Sequence, residues 1–136
     1  MRNKAIAALV LAGAVSLTAW TIGATGAAPA KEPMIGHMVY FQLNDNSQAA
    51  VAKMVAACDK YLKGHPGEAF YAAGSLAKEL NRPVNDRDWD VALHLVFKSK
   101  ADLDKYADAP RHVQFIEENK AGWKKVRVFD SLIEGK

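Results

Sequence analysis

Cysteine is almost absent from this chain: Cys58 is the only one among 136 residues. One thiol excludes an intrachain disulfide, a CxxCH haem attachment and a multi-cysteine zinc site. Cys58 itself falls on an apolar helical stripe, which fits a buried, inert thiol. An excess of one charge is lacking too. With Arg2 and Lys4 set aside, 18 basic residues become 16 against 15 acidic ones, so there is no basic footprint for nucleic acid. Lys124, Lys125 and Arg127 form only a short cluster, which reads as a solvated face. There is no low-complexity segment and no repeat. No ligand pair stands at metal-binding spacing, so neither a metal nor a cofactor is expected.

Acidic residues are missing altogether from the first 30 positions. Arg2 and Lys4 make a basic start, an apolar run extends from Ala5 to about Ala24, and Ala28-Pro29-Ala30 offers a small-x-small cleavage site before Lys31. Residues 1–30 therefore read as an export signal, which would place residues 31–136 in the periplasm or outside the cell. The run is also long enough to span a bilayer, so an uncleaved anchor over residues 5–24 is the alternative, and membrane contact is expected only then. Residues 31–136 make one modest domain with apolar residues for a single core and little to spare. Pairing with a second copy would help it.

The order of elements from Ile35 is strand, helix, strand, strand, helix, helix, strand. Ile35 to Leu43 alternates, with His37, Val39, Phe41 and Leu43 on one side and Met38, Tyr40 and Gln42 on the other. Asn44 to Ser47 supplies turn and cap chemistry. The helix it opens carries Val51, Met54, Val55, Cys58 and Leu62 as a stripe, and Gly64-His65-Pro66-Gly67 stops it. Ala69 to Gly74 is a weaker strand, and Leu76 to Asp88 is a polar connection. Trp89 to Phe97 is a strand with Val91, Leu93, Leu95 and Phe97 on one face and Ala92, His94 and Val96 on the other. Ser99 caps a short helix with Asp102 three residues on, Pro110 opens another, and Val126 to Ile133 is the last strand. Two strand–helix–strand halves make an α+β, split βαβ arrangement, a four-stranded antiparallel sheet with helices on one face. The other face carries Met38, Tyr40, Ala92 and Val96, so two subunits are expected to pack sheet against sheet.

HMVYFQL in the first strand, DVALHLVFKSKADLDKYADAPRHVQFIEE in the second half and KVRVFDSL at the end resemble the stress-responsive A/B barrel (Dabb) family. The resemblance covers about residues 34–134. It implies a homodimeric, ferredoxin-like α+β barrel. Where many members have His-Pro-Ala-His, this chain has Ala109-Pro110-Arg111-His112. A plant member closes a polyketide chain by aldol condensation without a cofactor. Its proposed catalytic histidine corresponds to His112, its pocket tyrosine to Tyr106 and its first-strand histidine to His37. A further pocket histidine of that enzyme corresponds to Val91.

The residues support a site independently of that likeness. His112 lies in the first turn of a helix, where the macrodipole disfavours imidazolium and should lower its pKa. A neutral imidazole can accept a proton. Phe115 and Ile116 share its helix face, so His112 should look toward the sheet. If His37 lies on the helix-covered face, then His37, Tyr106 and His112 converge in an apolar cavity walled by Val39, Phe41, Val91, Leu93, Phe115 and Ile116. The plainer alternative is a helix-start histidine pinned by Asp108, with Tyr106 as a core tyrosine. His94 is expected at the subunit interface, His65 in a loop, and Trp89 and Trp123 in the core or at its rim. Three functions are compatible with these residues. The first is an exported homodimeric module that holds a small apolar or aromatic ligand. The second is a cofactor-free enzyme of polyketide-cyclase type with His112 as base and Tyr106 polarising an oxygen. The third, by fold analogy, is a haem-degrading monooxygenase.

Overall fold

The computed structural model describes residues 32–134; the expected export signal lies outside them. Within them the chain runs β1 (Met34–Leu43), α1 (Gln48–Leu62), β2 (Glu68–Ser75), β3 (Val91–Phe97), α2 (Lys100–Ala107), α3 (Pro110–Asn119), a 3-10 turn (Lys120–Gly122) and β4 (Trp123–Ile133). The four strands form one antiparallel sheet in the order β2-β3-β1-β4, the expected α+β, ferredoxin-like topology. The connection between Leu76 and Asp90 holds neither helix nor strand.

Local chemistry accounts for the boundaries. Ser47 Oγ accepts the Ala50 N–H at the start of α1, and Asp45 in turn accepts the Ser47 N–H. The α1 stripe buries Met54, Cys58 and Leu62. Gly64 and Gly67 then take φ of +76° and +81°, a region in which side chains clash with their own backbone. At Gly67 the absence of a side chain also makes room, because a Cβ there would lie 2.2 Å from Asp102 Cγ. Ser99 accepts the Asp102 N–H and donates its hydroxyl to the Asp102 carboxylate, fastening the start of α2.

The strand limits differ from the sequence reading by one residue in β1 and at each end of β2, and by more at the starts of β3 and β4. β3 begins at Val91 rather than Trp89. Trp89 donates its indole N–H to the Asp86 carbonyl, and Asp90 ties the chain to β1 through Phe41 and Leu43. β4 begins at Trp123 rather than Val126. The 3-10 turn delivers Trp123 onto Phe41 and Phe115, and Lys124 and Lys125 are tolerated in the strand because it lies at the sheet edge.

Register fixes the faces. His37, Val39 and Phe41 sit opposite Leu95, Leu93 and Val91, and this side carries the buried core with Tyr61, Leu62, Phe97, Tyr106 and Phe115. The helices lie on it, α1 against β2 and β3, and α3 beside α1. Arg111 and Glu118 of α3 reach Lys63 at the end of α1 and Tyr61 within it, so Val113 and Ile116 belong to the flank of α3 away from α1. On the opposite face Met38 and Tyr40 pair with His94 and Ala92, while Phe70 and Phe129 remain exposed on the outer strands. No helix of the described residues covers that face.

Candidate functional site

The corner between α2 and α3 makes the site. Ala109 N–H donates to the Tyr106 carbonyl, Pro110 sets the first turn of α3, and the tight connection folds His112 back onto Tyr106 with ring centroids 4.4 Å apart. His112 Nδ1 lies 2.9 Å from the Ala107 carbonyl. A carbonyl can only accept, so Nδ1 carries the proton and Nε2 of the neutral ring keeps its lone pair. The expected anchor, Asp108, is therefore replaced by a backbone carbonyl. Asp108 caps α2 through its own N–H, and the end of that helix leaves the Ala107 carbonyl free.

Burial is the first cause that lowers the His112 pKa; the nearby His37 and His65 add to it, and the bond to Ala107 partly opposes it. The direction matches the sequence expectation, but desolvation is its main cause. His112 is half-buried, with Tyr106 beneath it almost wholly buried. Burial also pushes the Tyr106 hydroxyl above its ordinary range, so it stays a phenol and can donate.

His37 enters from β1. Its ring centroid lies 6.0 Å from that of Tyr106, and its Nδ1 donates to Asp130 Oδ1 at 2.6 Å. Asp130 sits directly opposite His37 in the β1–β4 register, so the strand pairing itself builds the pair and sends Nε2 of His37 away from the carboxylate. The carboxylate–imidazole arrangement fixes the ring and its tautomer.

The other residues named from sequence are positioned differently. Val39, Phe41, Val91, Leu93 and Phe115 are packed in the core at 0–6 % exposure, with Ile116 half-buried against them. They form a floor beneath the three polar rings. The apolar surface that remains open lies beside it on β4. Leu132, Val128 and Val126 occupy the helix side, opposite Ile35, Val39 and Phe41, yet are 69 %, 48 % and 38 % exposed. Val113 on α3 is also half-exposed, and Asp130 lies between Val128 and Leu132 on the same side of β4, opposite His37.

Sequence reasoning missed two features. His65, read as a loop residue, is buried, donates Nε2–H to the Tyr61 carbonyl, and sets its ring 4.9 Å from Tyr106. A histidine before Pro-Gly carries no periodic signal that would reveal this. Asp130 is the second: nothing in the last strand's own pattern points to its pairing with His37. His94 meets Met38 on the opposite face, where Trp89 and Phe129 contact Tyr40 around a hollow of about 400 Å³ that Asp86 and Arg127 also line. Among the described residues no three His, Cys, Asp or Glu side chains gather as a metal site, and no helix is long and apolar enough to cross a membrane.

A family model described as the Stress responsive A/B Barrel Domain matches residues 35–133. No curated protein matches the chain. Among solved structures, a dabb family protein with a ferredoxin-like fold from Mesorhizobium loti is 23% identical, with a TM-score of 0.62 over 76% of this chain and 100% of that one. A dimeric ferredoxin-like protein of unknown function from Thermobifida fusca is 17% identical, with a TM-score of 0.62 over 76% of this chain and 93% of its own. Hydroxynitrile lyase from Passiflora edulis is 21% identical, with a TM-score of 0.61 over 78% of this chain and 97% of its own.

Proposed function

This chain belongs to the stress-responsive A/B barrel family, and we propose that it is an exported homodimeric module that holds a small, largely apolar molecule with one oxygen-bearing end. The carrying observation is the uncovered helix side of β4, where Val126, Val128 and Leu132 lie exposed beside Asp130, opposite His37. An apolar body would lie along this side of β4, and its oxygen would meet the Tyr106 hydroxyl and the histidines. The homodimer reading is supported by the apolar open face of the sheet and by dimeric relatives of the same fold. Export is supported by the composition of residues 1–30 alone.

A thermal-shift screen of wild type and His112→Ala against haem, aromatic acids and β-polyketone compounds tests the ligand reading. A compound that raises the melting temperature of wild type but not of the variant supports it. If every compound leaves both proteins unmoved, the binding-module reading fails for these classes.

The tautomer of His112 favours a second reading. With Nδ1 held by Ala107, its Nε2 can take a proton from a carbon next to a carbonyl, while Tyr106 hydrogen-bonds the oxygen. The fold accommodates enzymes, as the Passiflora lyase illustrates. Loss of turnover in a folded, dimeric His112→Ala, with any compound the screen identifies, would favour this reading; an unchanged rate would remove it.

A further inference from the structure

The open face of the sheet is uneven in a regular way. Register places Phe70, Val96, Gly36 and Ser131 side by side across β2, β3, β1 and β4, then Ala72, His94, Met38 and Phe129, then Gly74, Ala92, Tyr40 and Arg127. Bulk on one half of a row stands level with a small residue on the other half. On the outer strands Phe70 is level with Ser131, Ala72 with Phe129 and Gly74 with Arg127, and on the inner strands Val96 is level with Gly36 and Ala92 with Tyr40. We propose that a second copy of this chain docks on this face about a two-fold axis running along the strands, so that β2 of each copy lies over β4 of the other and β3 over β1.

That axis turns each row end for end onto itself. Phe70 of one copy then meets Ser131 of the other, Ala72 meets Phe129 and Ala92 meets Tyr40, large against small, as two sheets that interdigitate at close packing require. The row with bulk on both inner strands, His94 and Met38, has room beside it in the hollow of about 400 Å³ that Met38 and Tyr40 line. A two-fold axis across the strands does worse. Centred on the middle row, it sets Phe129 against Phe129 and Met38 against Met38 while Ala72 faces only Ala72. The face is complementary to itself, which is what an isologous pair needs. Its charges are also closed within one copy: Arg127 lies 2.6 Å from Asp86 and donates to the Asp88 carbonyl, and Lys125 faces the Asp88 carboxylate at 3.8 Å. No unpaired charge on this strand calls for an oppositely charged partner, whereas Phe70 and Phe129 are each 53 % exposed. The arrangement rests on the homodimer proposed above and adds which strands oppose each other.

The test is a size swap in the full chain, read by sedimentation equilibrium. Ala72 and Phe129 stand three strand spacings apart, about 14 Å, so their side chains do not touch within one copy and coupling between them passes between copies. Ala72→Phe sets a second ring against Phe129 and should raise the dimer Kd about tenfold or more, the order expected for overpacking a close-packed contact. Adding Phe129→Ala should return the Kd to within about threefold of wild type. Phe70→Ser with Ser131→Phe, both at exposed positions, repeats the swap in another row and decides the matter if Ala72→Phe does not fold. Ala56→Asp, exposed on α1, should leave the Kd unchanged. Single effects that merely add in the double variants overturn the arrangement while the homodimer stands. A monomeric wild type overturns both.

Discussion

Replacing Gly67 with alanine tests how the turn after α1 is held against α2. Gly67 has a φ of +81°, and a Cβ there would stand 2.2 Å from Cγ and 2.4 Å from Cβ of Asp102. The left-handed backbone alone costs a non-glycine residue about 1–2 kcal/mol. The clash adds to this, because it meets the root of the Asp102 side chain rather than a flexible tip. Asp102 must leave its reciprocal bonds with Ser99, and losing a helix cap costs about 1 kcal/mol more. The sum is about 2–3 kcal/mol, or roughly 10–20 °C in Tm for a domain near this size. Gly64 is the control: its φ is +76°, and nothing lies within 4 Å of its Cβ position, so Gly64→Ala should carry the backbone cost alone. Urea unfolding at matched protein concentration compares them. Equal midpoints for the two variants would refute the Gly67–Asp102 contact as an energetic constraint. Because the Gly67 carbonyl also accepts the Lys98 N–H, the same change should loosen His65 from Tyr106.

Three further outcomes are expected. Phe129→Asp places a carboxylate on the apolar open face beside Tyr40. If that face joins two copies, burying the charge costs several kcal/mol, so sedimentation at micromolar concentration should change from a dimer mass to a monomer mass; a dimer that persists would put the interface elsewhere. His112 has a folded-state pKa below its ordinary value of 6.5, chiefly through burial. The unfolded chain therefore binds more protons, and this contribution to stability is present above that value and lost as the pH falls through it. Urea titrations from pH 7.5 to 5 should show a shallower decline in His112→Gln than in wild type, and identical slopes would contradict the assignment. Cys58 is wholly buried and its thiol is pushed up to about 12, so a thiol reagent at pH 8 should label it only after unfolding; rapid labelling of the native protein would show that the core opens.

The elements were legible in the sequence wherever side chains alternate or recur every third or fourth residue. β1, α1, β3 and the start of α3 follow from such patterns, and so does the side of β1 on which His37 sits. Residues whose roles depend on distant parts of the chain were not legible. His37 and Asp130 are 93 positions apart, and only the β1–β4 register brings them together. His65 lies in a polar-looking turn, and its burial depends on α2 folding over that turn. The apolar residues chosen as pocket walls are packed in the core between the helices and the sheet. Periodicity shows which face they share, but not that the neighbouring β4 is the strand left uncovered.

The division of labour between the two faces of the sheet follows from this geometry. α1 and α2 pack on β2, β3 and β1, while Val126, Val128 and Leu132 on the helix side of β4 stay exposed, so an open apolar surface on that side lies along an edge strand. The polar groups that meet it come from the ends of elements rather than their middles: His112 from a first helical turn, His65 from the turn after α1, and Tyr106 from the last turn of α2. Helix ends hold carbonyls without partners inside the helix. Here the carbonyls of Tyr61 and Ala107 each take an imidazole N–H. The same bonds that complete the helix termini thus choose the histidine tautomers, leaving one unprotonated nitrogen on each neutral ring.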